Sequence, residues 1–358
     1  MRIGIDAREL SGHVTGVGRF LGGLLREWQT ASAERHEFVL YAPAPVAVTL
    51  DEARFRMHIV PGGSGTWWEQ RALPQAIRTD GLDVFFAPAY TAPLGITVPT
   101  VAAIYDLSYM AHPEWFRVRE GLRRRWLTQE TAARARAVIT LSEFSRGEIR
   151  DRLGVAGDRV HVIRPGVDRL VATRKPTSEP RVLFVGSIFN RRHVPDLIRA
   201  VAAVASERPA TSLDIVGDNR TFPHEDIERA VTAAQLDGQI RWHRYATEDV
   251  LAGLYSRARA FAFLSEYEGL GLTPLEALAS GIPPVLYDTP VSRESCGAAA
   301  LYVPVADRSA TAAALHRVLF DEPTRTRLLA AAPKVLARYN WPRAAMATLA
   351  IIEAAGAR

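Results

Sequence analysis

Residues 265–290 read SEYEGLGLTPLEALASGIPPVLYDTP. The run that leads into them, AFAFLS (260–265), is short and apolar, the pattern of a strand buried on both faces. Glycines at 269 and 271 then interrupt any regular element. Thr273-Pro274-Leu275-Glu276 has the form of a capping box, with threonine as N-cap, proline at the first helical position and glutamate at the third. Gly281 is placed to end that helix, and PPVLYD supplies the next strand. Strand, glycine loop, helix and strand in this order are one step of an alternating α/β chain.

The alternation continues outward in both directions. The first half offers strands at IGID, FVLYA, MHIV, VFFA, TVAAIY, AVITLS and VHVI, and the second at RVLFVG, LDIVG, IRWHRY, AFAFLS, PPVLYD and LYVPV. Val17, Phe20, Leu21, Leu24, Leu25 and Trp28 recur on one helix face, as do Val194, Leu197, Ile198, Val201 and Val204 behind Pro195. Such a pattern predicts parallel sheets covered by helices on both faces. There are too many strands for one sheet, and the pattern restarts at Arg181 after the polar, proline-bearing stretch RPGVDRLVATRKPTSEP (164–180). The expected fold is therefore α/β, with two doubly wound Rossmann-like domains facing each other across a cleft. Their expected bounds are 1–168 and 181–340, with a linker at 169–180 and a closing helix at 341–358. Ligands of such sheets sit at the carboxyl ends of the strands, so the residues that follow strands carry the functional argument.

Composition narrows the class. The chain of 358 residues is 48% hydrophobic and 23% charged, which suits a soluble globular protein. No apolar run is long enough to span a bilayer, and MRIGID enters a strand directly, so no signal peptide is expected and the expected location is cytoplasmic. A single cysteine, Cys296, excludes an intrachain disulfide and a cysteine-based zinc site. The formal charge of +5 is carried almost wholly by arginine, since Lys175 and Lys334 are the only lysines. Either genome composition or an affinity for anions accounts for that bias. No nucleic-acid motif accompanies it, so nucleic acid is not an expected partner.

Residues 268–276 raise a chemical question, because Glu268 and Glu276 flank a glycine loop that leads into a helix N-terminus. That terminus offers free amides to an anion, and Gly269 and Gly271 let the backbone approach it closely. Two carboxylates beside a phosphate are reasonable only where each accepts hydrogen bonds from hydroxyls of the same ligand. Diphosphate flanked by hydroxyls describes a nucleotide sugar. The plainer alternatives are a capping role for Glu276 and a solvated loop carboxylate for Glu268.

With its seven intervening residues, EGLGLTPLEALASGIPPV resembles the E-x7-E signature of retaining glycosyltransferases with the GT-B fold, the family 4-like group of bacterial mannosyl- and glucosyltransferases. Further segments are similar in the same order: MRIGIDARELSGHVTGVGRF, WWEQRALPQAIRTDGLDVFFAPAYTAPL, PTVAAIYDLSYMAHPEWF, LSEFSR, FVGSIFNRRHVPDLIRAV, LDIVGD and LYSRARAFAFLSEYEGLG. The resemblance implies that the first domain binds the acceptor and the second a nucleotide-diphosphate hexose, with a GDP-sugar favoured. It implies that Glu268 bonds sugar hydroxyls, that Glu276 bonds the ribose, and that the backbone of Gly269, Leu270, Gly271 and Leu272 faces sugar and diphosphate. Arg192 matches a family cation that neutralises the leaving group; the other such position is Ser187 here, and Arg191 is placed to compensate. Gly16 and Gly18 are expected to form a loop that offers amides to the diphosphate, and Thr247 is expected near the base. No cofactor and no metal is implied.

The chain departs from the pattern at Tyr105-Asp106, where the family has His-Asp. By resemblance the backbone carbonyl of residue 105 faces the developing positive charge, while Asp106 is either catalytic or a strand-end cap. EWFRVREGLRRRWLTQ (114–129) interleaves tryptophan and phenylalanine with arginine. It reads as an amphipathic core helix or as an element that grips anionic lipid at the inner membrane surface beside a glycan or lipid-linked acceptor. Rival functions are a nucleotide-sugar epimerase or a phosphorylase of the same fold, or a catalytically silent sugar-binding partner. A dinucleotide-dependent dehydrogenase is disfavoured, because the glycines of TGVGRFLGG come too late after the first strand.

Overall fold

The computed structural model describes residues 1–358 apart from 13–15, 31–34, 47, 171–178, 237 and 358. Most of the expected linker therefore lies outside the described residues. Contacts gather the chain into two compact units, one of Met1–Ala111, Val118–Gly166 and Tyr339–Arg358, the other of His112–Arg117 and Val167–Arg338.

In the first unit, β1 (Arg2–Asp6), β2 (Glu37–Ala42), β3 (Phe55–Ile59), β4 (Val84–Ala87), β5 (Thr100–Ala103), β6 (Ala137–Thr140) and β7 (Val160–Val162) form one sheet in the order β3-β2-β1-β4-β5-β6-β7. All six pairings are parallel. In the second unit, β8 (Arg181–Val185), β9 (Ser212–Val216), β10 (Ile240–His243), β11 (Ala260–Phe263), β12 (Pro284–Tyr287) and β13 (Leu301–Val303) follow the order β10-β9-β8-β11-β12-β13. These pairings are parallel too. Each of the runs read as a strand forms one. The central strands are apolar throughout because both of their faces are covered, and VFFA and AFAF have no exposed residue. Strand order reverses between β1 and β4 and again between β8 and β11, which marks the carboxyl ends of these four strands as the places for ligands.

The helix Gly16–Trp28 buries Phe20, Leu21, Leu24, Leu25 and Trp28. Gly16 and Gly18, expected in a loop, instead lie in its first turn, and Gly18 is buried. The amides there still lack intrahelical acceptors, so an anion contact would use a helix terminus rather than a loop. The helix Trp341–Gly356 packs on this one, and the Trp28 indole N–H donates to the Ala345 carbonyl at 3.0 Å. Gly23 and Gly166 make room for the Trp341 ring, since a Cβ on either would lie 2.3 or 2.1 Å from it.

At the end of β1 the first unit buries an ionic cluster that the sequence reading did not anticipate. The Arg8 guanidinium reaches Asp6 at 2.8 Å and Glu69 at 2.5 Å, and the Thr91 hydroxyl also donates to Glu69 at 2.5 Å. Burial pushes the Asp6 carboxyl up to about 6, although the charge of Arg8 opposes it. A carboxyl raised in the folded state binds its proton there while the unfolded chain has already released it. Its contribution to stability therefore falls as pH rises from the ordinary aspartate value to about 6. Asp6→Asn removes this slope. Chemical denaturation should show the difference between variant and parent moving in the variant's favour by about 3 kcal/mol from about pH 4 to about pH 7.

Candidate active site

The second unit brings its candidate residues together at the ends of β8, β9 and β11. Gly186 follows β8 and Gly217 follows β9, with φ of 146° and 145°. A Cβ on Gly217 would lie 2.1 Å from the Gly186 carbonyl oxygen, and one on Gly186 would lie 2.7 Å from Arg192 Nη1. The two loops thus touch backbone to backbone, and only glycine fits at either position. The Ser187 carbonyl accepts from Arg192 Nη1 at 2.8 Å, which gives Ser187 a backbone role in place of the missing cation.

Arg191 and Arg192 stand in the short 3₁₀ turn Asn190–Arg192. Arg192 Nε donates to Glu268 Oε1 at 2.8 Å, Arg191 Nε lies 3.8 Å from the same oxygen, and the Ser265 hydroxyl donates to it at 2.9 Å. Arg191 Nε also donates to the Tyr267 carbonyl at 3.1 Å. The Arg192 guanidinium lies over both Phe189 and Phe263, which fixes its plane by cation–π contact. Burial works to raise the Glu268 carboxyl. The charges of Arg192 and Arg191, with hydrogen bonds from Arg192 and Ser265, outweigh it and hold the group below its ordinary value. Glu268 is therefore an ionised carboxylate in a nearly dry setting. Oε1 is fully engaged, and Oε2 accepts no hydrogen bond among the described residues.

Beside it, His193 lies 3.3 Å from Glu266 and 3.5 Å from Asp196. Burial lowers its pKa, but the two carboxylates win and the imidazole is held above its ordinary value. Ser265, Glu266 and His193 were not singled out from sequence; His193 directly follows Arg192, and Ser265 and Glu266 lie just before Glu268.

The loop after Glu268 corrects one expectation. Gly271, at φ 84°, is itself the N-cap of the helix Leu272–Ala279, and no side chain caps it. Its left-handed backbone turns the chain early enough that Leu272 is already helical. Thr273 and Pro274 consequently sit second and third, and the capping box between Thr273 and Glu276 does not form. Glu276 lies a turn further in and is 7% exposed. The helix ends as read, with Gly281 at φ 74° and its N–H on the Leu278 carbonyl. The Leu270 side chain is buried, so its backbone is the part available to a ligand. Thr247 caps the helix Glu248–Arg257 by accepting from the Val250 N–H at 3.4 Å.

Tyr105 and Asp106 belong to the first unit, beyond the end of β5. The Tyr105 carbonyl, expected to face a developing charge, accepts from the Ser145 hydroxyl at 2.9 Å, which leaves one lone pair of the oxygen unused by that contact. Its ring packs edge-on against Phe20 and Tyr90, and its buried hydroxyl has no hydrogen-bond partner among the described residues. Asp106 accepts from the Ser108 N–H at 2.9 Å and from the Tyr90 hydroxyl at 2.8 Å, the geometry of a strand-end cap. Among the described residues no group of three or more His, Cys, Asp or Glu is arranged to hold a metal ion.

Known proteins place this arrangement. Residues 14–169 match the family described as Glycosyltransferase Family 4, and residues 170–335 match Glycosyl transferases group 1. The chain is a glycosyltransferase, and its two parallel α/β units are those of the GT-B fold. Within that class it belongs with the family 4 type. It is 24% identical over 70% of its length to an O-antigen chain mannosyltransferase B of Escherichia coli, of which the match covers 68%. It is 29% identical over 72% of its length to a glycogen synthase of Mycobacterium tuberculosis. The match spans 64% of that relative, just short of two thirds. Among solved structures, sucrose-phosphate synthase from Thermosynechococcus elongatus superposes with a TM-score of 0.81 at 19% identity, over 99% of both chains.

Two outcomes test this geometry. Arg192→Gln leaves the Glu268 charge buried with Arg191 alone nearby, so denaturation at neutral pH should show a loss of about 3–5 kcal/mol. That deficit should shrink as pH falls through the carboxylate range, because protonating Glu268 removes the uncompensated charge. Tyr105→Phe deletes a hydroxyl that is buried without a partner, so the melting temperature should stay level or rise, by up to about 2 kcal/mol in stability.

Proposed function

We propose that the chain is a retaining hexosyltransferase that needs no metal. In this reading it moves a hexose, mannose from GDP-mannose in the first instance, to a glycan or lipid-linked acceptor in polysaccharide synthesis. The observation that carries this is Glu268, a carboxylate kept ionised by an arginine pair at the switch point of the second sheet, whose second oxygen accepts no hydrogen bond among the described residues. The mannosyltransferase among its relatives supports the sugar; the glycogen synthase keeps glucose as the competing donor.

In this reading the roles are those the resemblance implies, and the geometry supports them. Glu268 Oε2 accepts from a sugar hydroxyl, and the fixed Oε1 contacts keep it from rotating away. Arg191 and Arg192 supply the positive potential in which the diphosphate leaves, stabilisation that costs no reorganisation because the guanidiniums are already stacked and bonded. The amides at Gly271 and Leu272 open a helix toward the same anion. Glu276 accepts from the ribose. The bond from the anomeric carbon to the phosphate oxygen breaks first. The acceptor oxygen then attacks the same face and gives its proton to that phosphate oxygen, so the configuration is kept without a base on the opposite face. The first unit takes the acceptor.

The test is a panel of GDP- and UDP-sugars, scored by binding, by transfer and by the anomeric configuration of the product, with and without EDTA. GDP-mannose turnover with retention, unchanged by EDTA, is expected. An inverted product, or activity lost to EDTA and restored by Mg²⁺, overturns the corresponding part of the reading. Glu276→Gln should weaken nucleotide binding by about 1.5–3 kcal/mol in calorimetry; unchanged affinity would remove its ribose role.

A further inference from the structure

The helix Val118–Arg134 is built inside out. Its buried residues are Gly121, Leu127, Thr128, Thr131 and Ala132, with one large apolar side chain among them. The two threonines are tied down, Thr128 by the Tyr109 hydroxyl at 2.9 Å and Thr131 by the Ala92 N–H at 3.0 Å. The large apolar residues point the other way. Val118, Leu122 and Trp126, spaced four apart and so on one face, are 74%, 56% and 58% exposed. A surface helix of a soluble domain normally turns such a stripe inward.

The charges beside the stripe are also unusual. The helix carries five arginines against two glutamates. Glu120 is engaged by Arg124 and Glu130 by Arg134. Arg119 and Arg123 are exposed, flank the stripe on one side, and have no carboxylate or other polar partner among the described residues. Three apolar side chains edged by unpaired guanidiniums complement a surface that is apolar beneath and anionic on top. Another protein surface would match both only with an acidic rim set around an apolar patch, whereas an anionic bilayer presents that layering everywhere. A dispersed polyanion would satisfy the arginines alone.

We propose that this helix docks the chain on an anionic lipid bilayer. Trp126, Leu122 and Val118 enter the headgroup–acyl boundary, and Arg119 and Arg123 engage lipid phosphates. The helix lies in the plane of the interface, since no described helix is long and apolar enough to cross a membrane. This inference is independent of the donor and of turnover.

The experiment is sedimentation of the full chain with vesicles of phosphatidylcholine alone or mixed equally with phosphatidylglycerol, at about 0.1 M salt and above. Binding is expected only to the anionic vesicles, falling as salt rises. Arg119→Gln with Arg123→Gln should lower the partition coefficient about tenfold or more. Leu122→Ser with Trp126→Ser should lower it as well. Fluorescence quenching by brominated acyl chains should be lost in Trp126→Phe while binding persists. All these positions are exposed, and circular dichroism confirms that each variant is folded. Failure to bind anionic vesicles at low salt, equal binding to phosphatidylcholine, or full binding by both double variants overturns the proposal. So does a dimer of the parent that Leu122→Ser with Trp126→Ser dissociates, since the stripe would then be a contact between two copies.

Discussion

Two parallel strands cannot be joined by a tight turn; the chain must travel back along the sheet before it can pair again. Because every pairing in both sheets is parallel, every strand ends on the same side of its sheet and its connecting loop begins there. The candidate site residues of the second unit collect at those ends for this reason. Gly186, Gly217 and Ser265 each lie just past a strand, although they are far apart in sequence. The price of bringing three loops so close is borne by side chains, and Gly186 and Gly217 have none.

Electrostatics then sets the character of that place. A carboxylate taken out of water tends to keep its proton, and Glu268 has little exposure. Arg192, held by two aromatic rings and the Ser187 carbonyl, shifts the balance because its own position is already fixed. The first unit shows the opposite result with similar components. One arginine shared between Asp6 and Glu69 does not overcome burial, and Asp6 stays raised. The ratio of guanidinium to carboxylate distinguishes the two clusters.

The elements were legible because parallel strands buried on both faces announce themselves as apolar runs, and the helices Gly16–Trp28 and Val194–Glu207 as clean periodic faces. The resemblance assigned Glu268 and Arg192 separate roles on one ligand, and the structure adds a direct contact between them. Three features were not legible. The start of the helix after Gly271 depends on one backbone angle, which Thr273-Pro274 did not reveal. The contact of Ser145 with the Tyr105 carbonyl joins residues forty positions apart. The cluster of Arg8 and Glu69 spans sixty-one positions, and pattern within a window cannot report it. The surplus of arginine has a further use beyond the two weighed from composition. Arg54, Arg159, Arg325 and Arg338 donate to carbonyls at or near helix ends, among them Trp28, Ala132, Val318 and Ser295.

The helix Trp341–Gly356 gives the chain a particular order of events during synthesis. The Trp341 ring fills the space left by Gly23 and Gly166, and Ala345 supplies the acceptor for Trp28. A ribosome delivers these groups only after the whole second unit has emerged. Until then the first unit has all seven strands but an open flank on the helix Gly16–Trp28. The second unit, continuous from Val167 to Arg338 apart from one short segment, can close on its own. The unit made first is thus completed last, and its exposed flank during that interval is the stretch of the nascent chain that most needs shielding.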